Sequence, residues 1–596
     1  MSKKVPIKYT SREFSTIRED LINYAKRYYP DTYKDFTRAS FGALTIDTVA
    51  YVGDILSFYL DYHVNETFLD TATEYDNILR LAKQRGYKFK GSDSATGFVD
   101  FFALIPANYA GLGPDSRYLP VLKKNSVVAS TSGASYVLVS DVRFDHPSNY
   151  TIVARVDEST GIPTHYAVKS TGKVISGVFG VKDVTIGAFE RFRKLEIKDS
   201  RIVEIISVFD SEGHEYHEVE YLSHDVVYKS VPNKDSSTRD NAPSLMRSFS
   251  APRRFTTEKK RKSTILQFGY GSDSEISSPT LAEPSNVVLQ TFAKDYITDT
   301  AFDPSDLLSS DKLGVAPSDT TLTIVYRSNT SSNSNAAANS ITKMIRPLVD
   351  FADQSIAGTT KANSVISSIE CVNTEPINGT VRRPSVEEIR RRTLNYFPTQ
   401  NRAVTSTDYE ALAYAMPAEY GSIKRCRIVR DQDSLKRNLN MYVLAESSTG
   451  RLEAANSVLK DNLKVWLNRY RMINDTLDIL DAKVVNIAIE FEIVADKANK
   501  FDALEEATSM LRKKFKQAFF MGERFSITKV YSILNSARGV ADVTSVKIKN
   551  KRGGLYAQTG FDIDSQTSSD GRYIAVPDNV VLEIKYPKID IRGSVK

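Results

Sequence analysis

From Phe41 to Val64 the chain carries apolar side chains on nearly every face a helix can present. Leu44, Ile46, Val49, Val52, Ile55, Leu56, Phe58, Tyr59 and Leu60 cannot be gathered into one stripe. A helix of this kind must be covered on most sides, by its own domain or by another chain. Its polar positions are ordered as well, since Asp47, Asp54 and Asp61 recur every seven residues and line one edge. Those carboxylates leave no uninterrupted apolar run of about 20 residues, which argues against a membrane span. At ~1.5 Å per residue the helix is about 35 Å long, a strut suited to a multi-helix bundle. Two helical neighbours are expected beside it. The first opens at Thr10, with Glu13 completing a capping box. It presents Phe14, Ile17, Leu21, Tyr24 and Tyr28 on one face and ends at Pro30. The second is capped by Thr71 or Thr73 and closes at Gly86, with Arg80, Lys83 and Arg85 in its last turn, where they suit the dipole. Residues 1–90 therefore form an N-terminal helical segment.

From Gly97 the period changes from helical to two. Strands are expected at Phe98–Leu104, in a hairpin of Ser126–Ser130 with Ser135–Val142, and at Thr151–Val156 and His165–Ser170. More follow at Val174–Phe179, Lys182–Ile186, Arg201–Phe209, Glu215–Leu222, Ile265–Phe268 and Thr320–Tyr326. Turn residues separate them as in compact β modules, so residues 91–327 form a β-rich middle with two subdomains meeting near 200–230. Ser-rich, charged stretches at 231–246 and 270–287 read as exposed loops. Residues 328–341 are small, polar and aperiodic, the composition of a linker. Beyond them the pattern is α+β. Ser385 with Glu388, and Thr405 with Asp408, open helices ending at Tyr396 and Tyr414. Strands Ile423–Val429 and Leu439–Ala445 lead to a helix at 453–470. Alternation from Val485 to Ile493 marks a half-buried strand, and helices at 502–519 and 527–537 and strands Val543–Lys549 and Val580–Tyr586 complete a C-terminal region at 342–596. The fold class is multidomain α+β.

The 596 residues suffice for three or four cores, and the net charge of +6 is too small for nucleic-acid binding to be the main task. Two cysteines, Cys371 and Cys426, are too far apart for a CxxC site and read as buried thiols. The opening MSKKVPIKYTSREF has charge but no apolar core after it, so no signal peptide is expected. His214 and His217 invite a metal, but on an extended strand they point to opposite faces. Glu218 and Glu220 share a strand face and read as solvated surface, not as paired catalytic carboxylates. The basic run at 253–262, RRFTTEKKRK, reads as a solvated loop. Neither GxSxG, a Walker loop nor GxGxxG occurs. No enzyme, cofactor or metal is expected.

Two segments carry a resemblance. The first runs from Ala39 to Lys88 and contains Asn65-Glu66, Thr71-Ala72 and Gly86-Tyr87. The second, at 390–429, contains Arg402-Ala403-Val404-Thr405 and Asp408-Tyr409-Glu410. Both resemble the baseplate J-like family of contractile phage tails. The stretches at 215–228 and 301–327 and the C-terminal region are similar to the larger wedge subunits of T-even-type myophages. Residues 328–340 depart from the Gly-rich turn common in that family. The resemblance implies a structural virion protein of the tail baseplate, assembled in host cytoplasm. It implies two copies per wedge, joined to a larger wedge subunit through their N-terminal helices. C-terminal domains would pair within and between wedges, closing a ring around the tail tube that couples baseplate rearrangement to sheath contraction. Val49, Val52, Leu56, Tyr59, Leu60, Asn65 and Glu66 are the candidate assembly residues. Arg402, Thr405, Asp408 and Tyr409 form a structural motif. A tail-associated, host-glycan-binding adhesin is the alternative.

Overall fold

The computed structural model describes residues 13–32, 35, 37, 40–89, 94–109, 112–199, 201–233, 244–272, 313–329, 334–356, 358–379, 384–431, 438–447, 450–495, 500–515 and 519–596. The architecture is multidomain α+β, and the chain divides into two units: residues up to Phe89 with Pro384–Pro398, and Lys90–Arg383 with Thr399–Lys596.

In the first unit three helices follow one another: α1 (Phe14–Tyr28), α2 (Phe41–Glu66) and α3 (Tyr75–Gln84). Thr10 lies outside the described residues, and the first helix has Glu13 at its N-cap with no side-chain bond there. Neither Thr71 nor Thr73 caps α3. Glu74 holds that position, and the Thr73 N–H and hydroxyl are drawn away to the Glu66 carboxylate. Its C-terminus is as expected: Gly86 N–H donates to Lys83 O at 2.9 Å and Tyr87 N–H to Ala82 O at 3.0 Å. These two hydrogen bonds satisfy two carbonyls the helix would otherwise leave open. Ile78, Leu79 and Ala82 share one face of α3 and pack with Leu69, Ala72 and Tyr87 against Ile389. Ile389 belongs to the helix Val386–Tyr396, which Ser385 and Glu388 open as a full capping box. Its Arg390 donates to Leu69 O and Ala72 O, fixing the turn between α2 and α3.

The second unit begins with a long antiparallel pair, Thr96–Pro106 against Pro163–Ser176, in register from Thr96↔Ile175 to Pro106↔His165. Val127–Ser130, Ser135–Leu138 and Tyr150–Val156 extend this sheet on one side. Its outermost strands come from far along the chain: Ile341–Arg346 pairs with Val127–Ser130, and Glu370–Val372 with Thr96–Pro106. Residues 341–372 therefore complete the middle region's sheet instead of opening the C-terminal region. The described residues of 328–341 are likewise not those of a solvated linker. Asn329, Ser334 and Ala336 are buried, and Ala336 exchanges backbone bonds with Ile377.

A second seven-stranded sheet runs in the order Val178–Ile186, Thr320–Ser328, Ile202–Phe209, Glu215–Glu218, Arg254–Lys259, Thr264–Phe268 and Lys194–Ile197. Three expectations change here. The strand placed at Val174–Phe179 is split by Gly177, whose φ of +136° turns the chain from one sheet into the other. The strand at Glu215–Leu222 stops at Glu218, so Glu218 and Glu220 do not share a strand face. The basic run at 253–262 forms a hairpin strand, Arg254–Lys259. It is tolerated because the buried Arg254 spends its donors on Leu222 O and Ala251 O. The two sheets are tied by Arg327, fully buried, which pairs with Glu204 at 2.8 Å and also donates to Ser94 and to Ser176 O.

The C-terminal part holds two four-stranded sheets. Arg425–Arg430, Asn438–Glu446, Leu452–Glu453 and Thr476–Asp481 make one, flanked by helices Ser406–Tyr414 and Ser457–Leu467. Lys483–Ala495 centres the other, between Val540–Lys551 on one side and Val580–Glu583 and Ile591–Val595 on the other. Helices Lys500–Lys514 and Ile527–Asn535 cover it, and Ile487, Ile489, Phe491 and Ile493 fill the core. Cys371 and Cys426 are buried thiols.

Candidate assembly surface

The second helix presents three different faces. The face toward α1 is built from small residues: Gly42, Ala43 and Ala50 are buried, and a side chain at Gly53 would stand 3.2 Å from Ile17. Small residues let the two helix axes approach closely. Arg18 reaches across to Asp47 at 2.5 Å, placing the first of the three carboxylates in an ion pair at the edge of this contact.

The remaining circumference is open. Thr45, Val49, Val52, Leu56, Tyr59 and His63 follow one another at alternating spacings of four and three, and so do Leu44, Thr48, Tyr51, Ile55, Phe58 and Tyr62. A period of 3.5 is the seam spacing of helices packed knobs-into-holes. Val49, Val52, Leu56, Tyr59 and Leu60 are all half or more exposed, Leu56 at 63%. Covering each of these side chains is worth roughly 1–2 kcal/mol. Two seams side by side, beside a third face already occupied by α1, fit a helix enclosed by two further helices.

By length and hydropathy alone α2 is also long and apolar enough to cross a membrane. The charges weigh against that. Asp47 and Asp54 lie well inside the helix, and each costs about 2.5–3.5 kcal/mol near a bilayer centre. The charged α1, packed alongside with Arg18, Glu19 and Asp20, would have to follow. A protein cover meets the same apolar demand without burying these charges in lipid.

Asn65 and Glu66 have a different task from the five apolar positions, because both turn inward and build the turn after α2. Asn65 is buried and donates to Asp61 O at 2.7 Å. The Glu66 carboxylate accepts the Thr73 N–H at 2.6 Å, the Thr73 hydroxyl at 2.7 Å, the Glu74 N–H at 3.2 Å and the Asn77 amide at 2.8 Å. Partial burial works to raise its pKa, but the bonds from Thr73, Asn77 and Glu74 prevail and hold it below the usual range. A depressed folded-state pKa means the stabilisation is complete above the unfolded value and is lost as pH falls through the folded one. Helical signal should accordingly fall more steeply below about pH 4 in the native chain than in Glu66→Gln, whose amide has no such proton to take up. Acid titrations of both, followed by circular dichroism, test this. Equal acid slopes would refute it.

The 402–409 motif is folded as its residues demand. Thr405 Oγ1 accepts the Asp408 N–H at 3.3 Å, while the Asp408 carboxylate accepts the Thr405 N–H at 2.8 Å and the Val404 N–H at 3.2 Å. Tyr409 is 1% exposed and donates its hydroxyl to Asp475 at 2.7 Å. Burial, then this carboxylate, pushes the phenol's pKa up. Arg402 stays at the surface, donating to the Gln400 side chain at 3.1 Å. What the sequence did not reveal is the loop these residues hold. Ala403 N–H donates to Tyr470 O at 2.9 Å, so the motif grips the 468–475 loop at both ends. Only the near-complete exposure of Ile473 marks that loop, and exposure is not written in a sequence.

Elsewhere, His214 lies 3.2 Å from Asp210 and His217 lies 3.7 Å from Glu215. Among the described residues no group of His, Cys, Asp or Glu is arranged to hold a metal ion.

Residues 13–84 match the family described as bacteriophage baseplate protein, N-terminal domain, which spans α1 through α3 and includes both seams. No curated protein matches the chain. Among solved structures, a chain of the anti-feeding prophage baseplate aligns over 98% of this chain and 99% of its own, at 11% identity and a TM-score of 0.23. A chain of the type VI secretion system TssK-TssF-TssG baseplate subcomplex aligns over 74% and 96%, at 10% identity and a TM-score of 0.22. At such TM-scores these two likenesses decide nothing about this chain.

Proposed function

We propose that this chain is a non-enzymatic structural subunit of a contractile-tail baseplate, inserted through α2. The observation that carries the reading is the coincidence of two features: the segment matching a baseplate N-terminal domain is also the one with two open apolar seams. A helix with such seams cannot remain bare in water without associating. Its partners are a second copy of the chain and a larger wedge subunit, whose helices cover the first and second seams. The C-terminal region then contacts neighbouring wedges, forming a ring around the tail tube. Rearrangement of these contacts couples the baseplate to sheath contraction.

The test is localisation and stoichiometry in the assembled particle. The full chain carrying a C-terminal tag is expressed with the other tail proteins, and gold-labelled antibody is imaged on purified tails. Label should ring the end of the sheath, at two copies for each of the larger wedge subunit by quantitative mass spectrometry. Label on fibre tips, together with binding on a glycan array, would replace this reading with the adhesin. Clearing of peptidoglycan by the purified chain would replace it with a hydrolase.

A further inference from the structure

The loop gripped by the 402–409 motif is a knob. Ile473 is 97% exposed, and Met472 and Val404 beside it are about half exposed. The parallel bridge of Ala403 with Arg471 sets Val404 next to Met472. Arg402 and Arg469, close to these residues along the chain, are exposed cations, the first donating to the Gln400 side chain and the second lying 5.9 Å from the centre of the Trp466 ring, while the Arg471 guanidinium is tied back to Asp475 O. The knob is rigid for a loop, since the buried Tyr409 and the backbone of Ala403 both anchor it.

A counterpart lies on the same region of the chain. Between the Ser457–Leu467 helix and the Thr476–Asp481 strand runs an open cleft of about 700 Å³, with Ile479 and Leu480 in its wall. Lys460 pairs with Asp481 at 2.7 Å and Lys464 approaches Asp478 at 4.0 Å. Glu375, Asp431 and Asp461 also line the cleft, which leaves it with a surplus of negative charge.

We infer that the 472–473 knob of one copy docks into the acidic 460–481 cleft of the next, a head-to-tail contact within the C-terminal region. A two-fold contact of knob with knob would bring the exposed Arg402 and Arg469 toward their own images, and like charges juxtaposed in an interface are strongly unfavourable. Knob and cleft instead match in sign. They also sit at different places on one element, the knob after the helix's C-terminal end and the cleft along its N-terminal turns, so each copy uses both. A contact between two different patches repeats from copy to copy and closes into a ring when the rotation allows. The inference rests on the proposal that several copies work together, but not on α2.

The test uses full-length chains. Ile473→Cys and Leu480→Cys are placed in separately tagged preparations, which are mixed and oxidised; both native thiols are buried and contribute no background. A mixed disulfide is expected, with at least about tenfold less product when either variant is oxidised alone. Arg469→Glu in the Ile473→Cys chain should lower the mixed yield about tenfold, and Asp461→Lys in the partner should restore it. The coupling should persist when both chains also carry Val49→Asp and Leu56→Asp. Self-coupling of Ile473→Cys as strong as the mixed product would overturn the inference in favour of a two-fold contact. Absence of the mixed product, or its loss whenever α2 is disrupted, would overturn it outright while leaving the role of α2 standing.

Discussion

Replacing Val49 and Leu56 with aspartate should remove the chain from assembled tails, on the role proposed for α2, while its folded units survive. Both side chains lie on the first seam of α2 and are already exposed in the isolated chain, at 51% and 63%. The substitutions therefore remove nothing from the chain's own core, and neither residue touches the cluster of Leu69, Ile78 and Ile389. What they change is the cost of covering the seam. An aspartate buried without a partner in a helix interface loses hydration worth several kcal/mol, and two on one seam double the penalty. Incorporation should fall below about one per cent of wild type, since every 1.4 kcal/mol is a tenfold change in an equilibrium. The measurement is immunoblotting of purified tails beside a thermal melt of the free chain. Normal incorporation with an unchanged melt would show that α2 is not an assembly surface. A conservative companion, Asn65→Asp, serves as contrast: it acts in the turn after α2 and should lower helix stability more than it lowers incorporation.

The parts of this fold that local chemistry controls were legible along the chain. Ser385 with Glu388, and Thr405 with Asp408, form the capping boxes their spacing announces. Gly86 ends α3 through the two backbone bonds that such a glycine permits. The alternation from Val485 to Ile493 is the central strand of its sheet. The excess of apolar residues on α2 translates into exposed side chains, because most of its faces have no cover among the described residues.

What stayed hidden depends on pairing across long sequence distances. Nothing in Ile341–Arg346 says that its partner is Val127–Ser130, and so the sequence pattern alone assigns this strand to the C-terminal region. Small polar residues such as Asn329 and Ser334 look solvated until other parts of the chain bury them. Charge masked the strand Arg254–Lys259, whose first arginine is inside only because two carbonyls receive it. Asn65 and Glu66 illustrate the limit for sites. Their position at the end of an apolar helix suggests an interface, yet the Asn65 amide is engaged with Asp61 O inside α2 and the Glu66 carboxylate with the turn that follows. The strands Thr476–Asp481 and Ile591–Val595 are short and border loops, and neither carries a run of alternation long enough to stand out.

Tyr409→Ala should cost about 3 kcal/mol of stability in the second unit, the largest effect expected of any single residue in the motif. The ring is 1% exposed, so truncation leaves a cavity in the interior. Its hydroxyl adds a second loss, because the Asp475 carboxylate would be left without the donor at 2.7 Å. Tyr409→Phe separates the two effects: it retains the ring and should cost about 1.5 kcal/mol, the range of a hydrogen bond to a charged group. Thr405→Ala removes only the cap on the Asp408 N–H and should cost about 1 kcal/mol. Chemical unfolding of the full chain, followed at the single tryptophan Trp466, measures all three, since its ring nitrogen donates to Leu412 O in the same helix. The variants should also differ in a second readout. Tyr409→Phe frees one anchor of the 468–475 loop and should weaken the coupling of Ile473→Cys to Leu480→Cys more than Thr405→Ala does. If Thr405→Ala abolished assembly with its unfolding midpoint unchanged, the motif would itself be a contact surface, and its role as the support of that loop would be wrong.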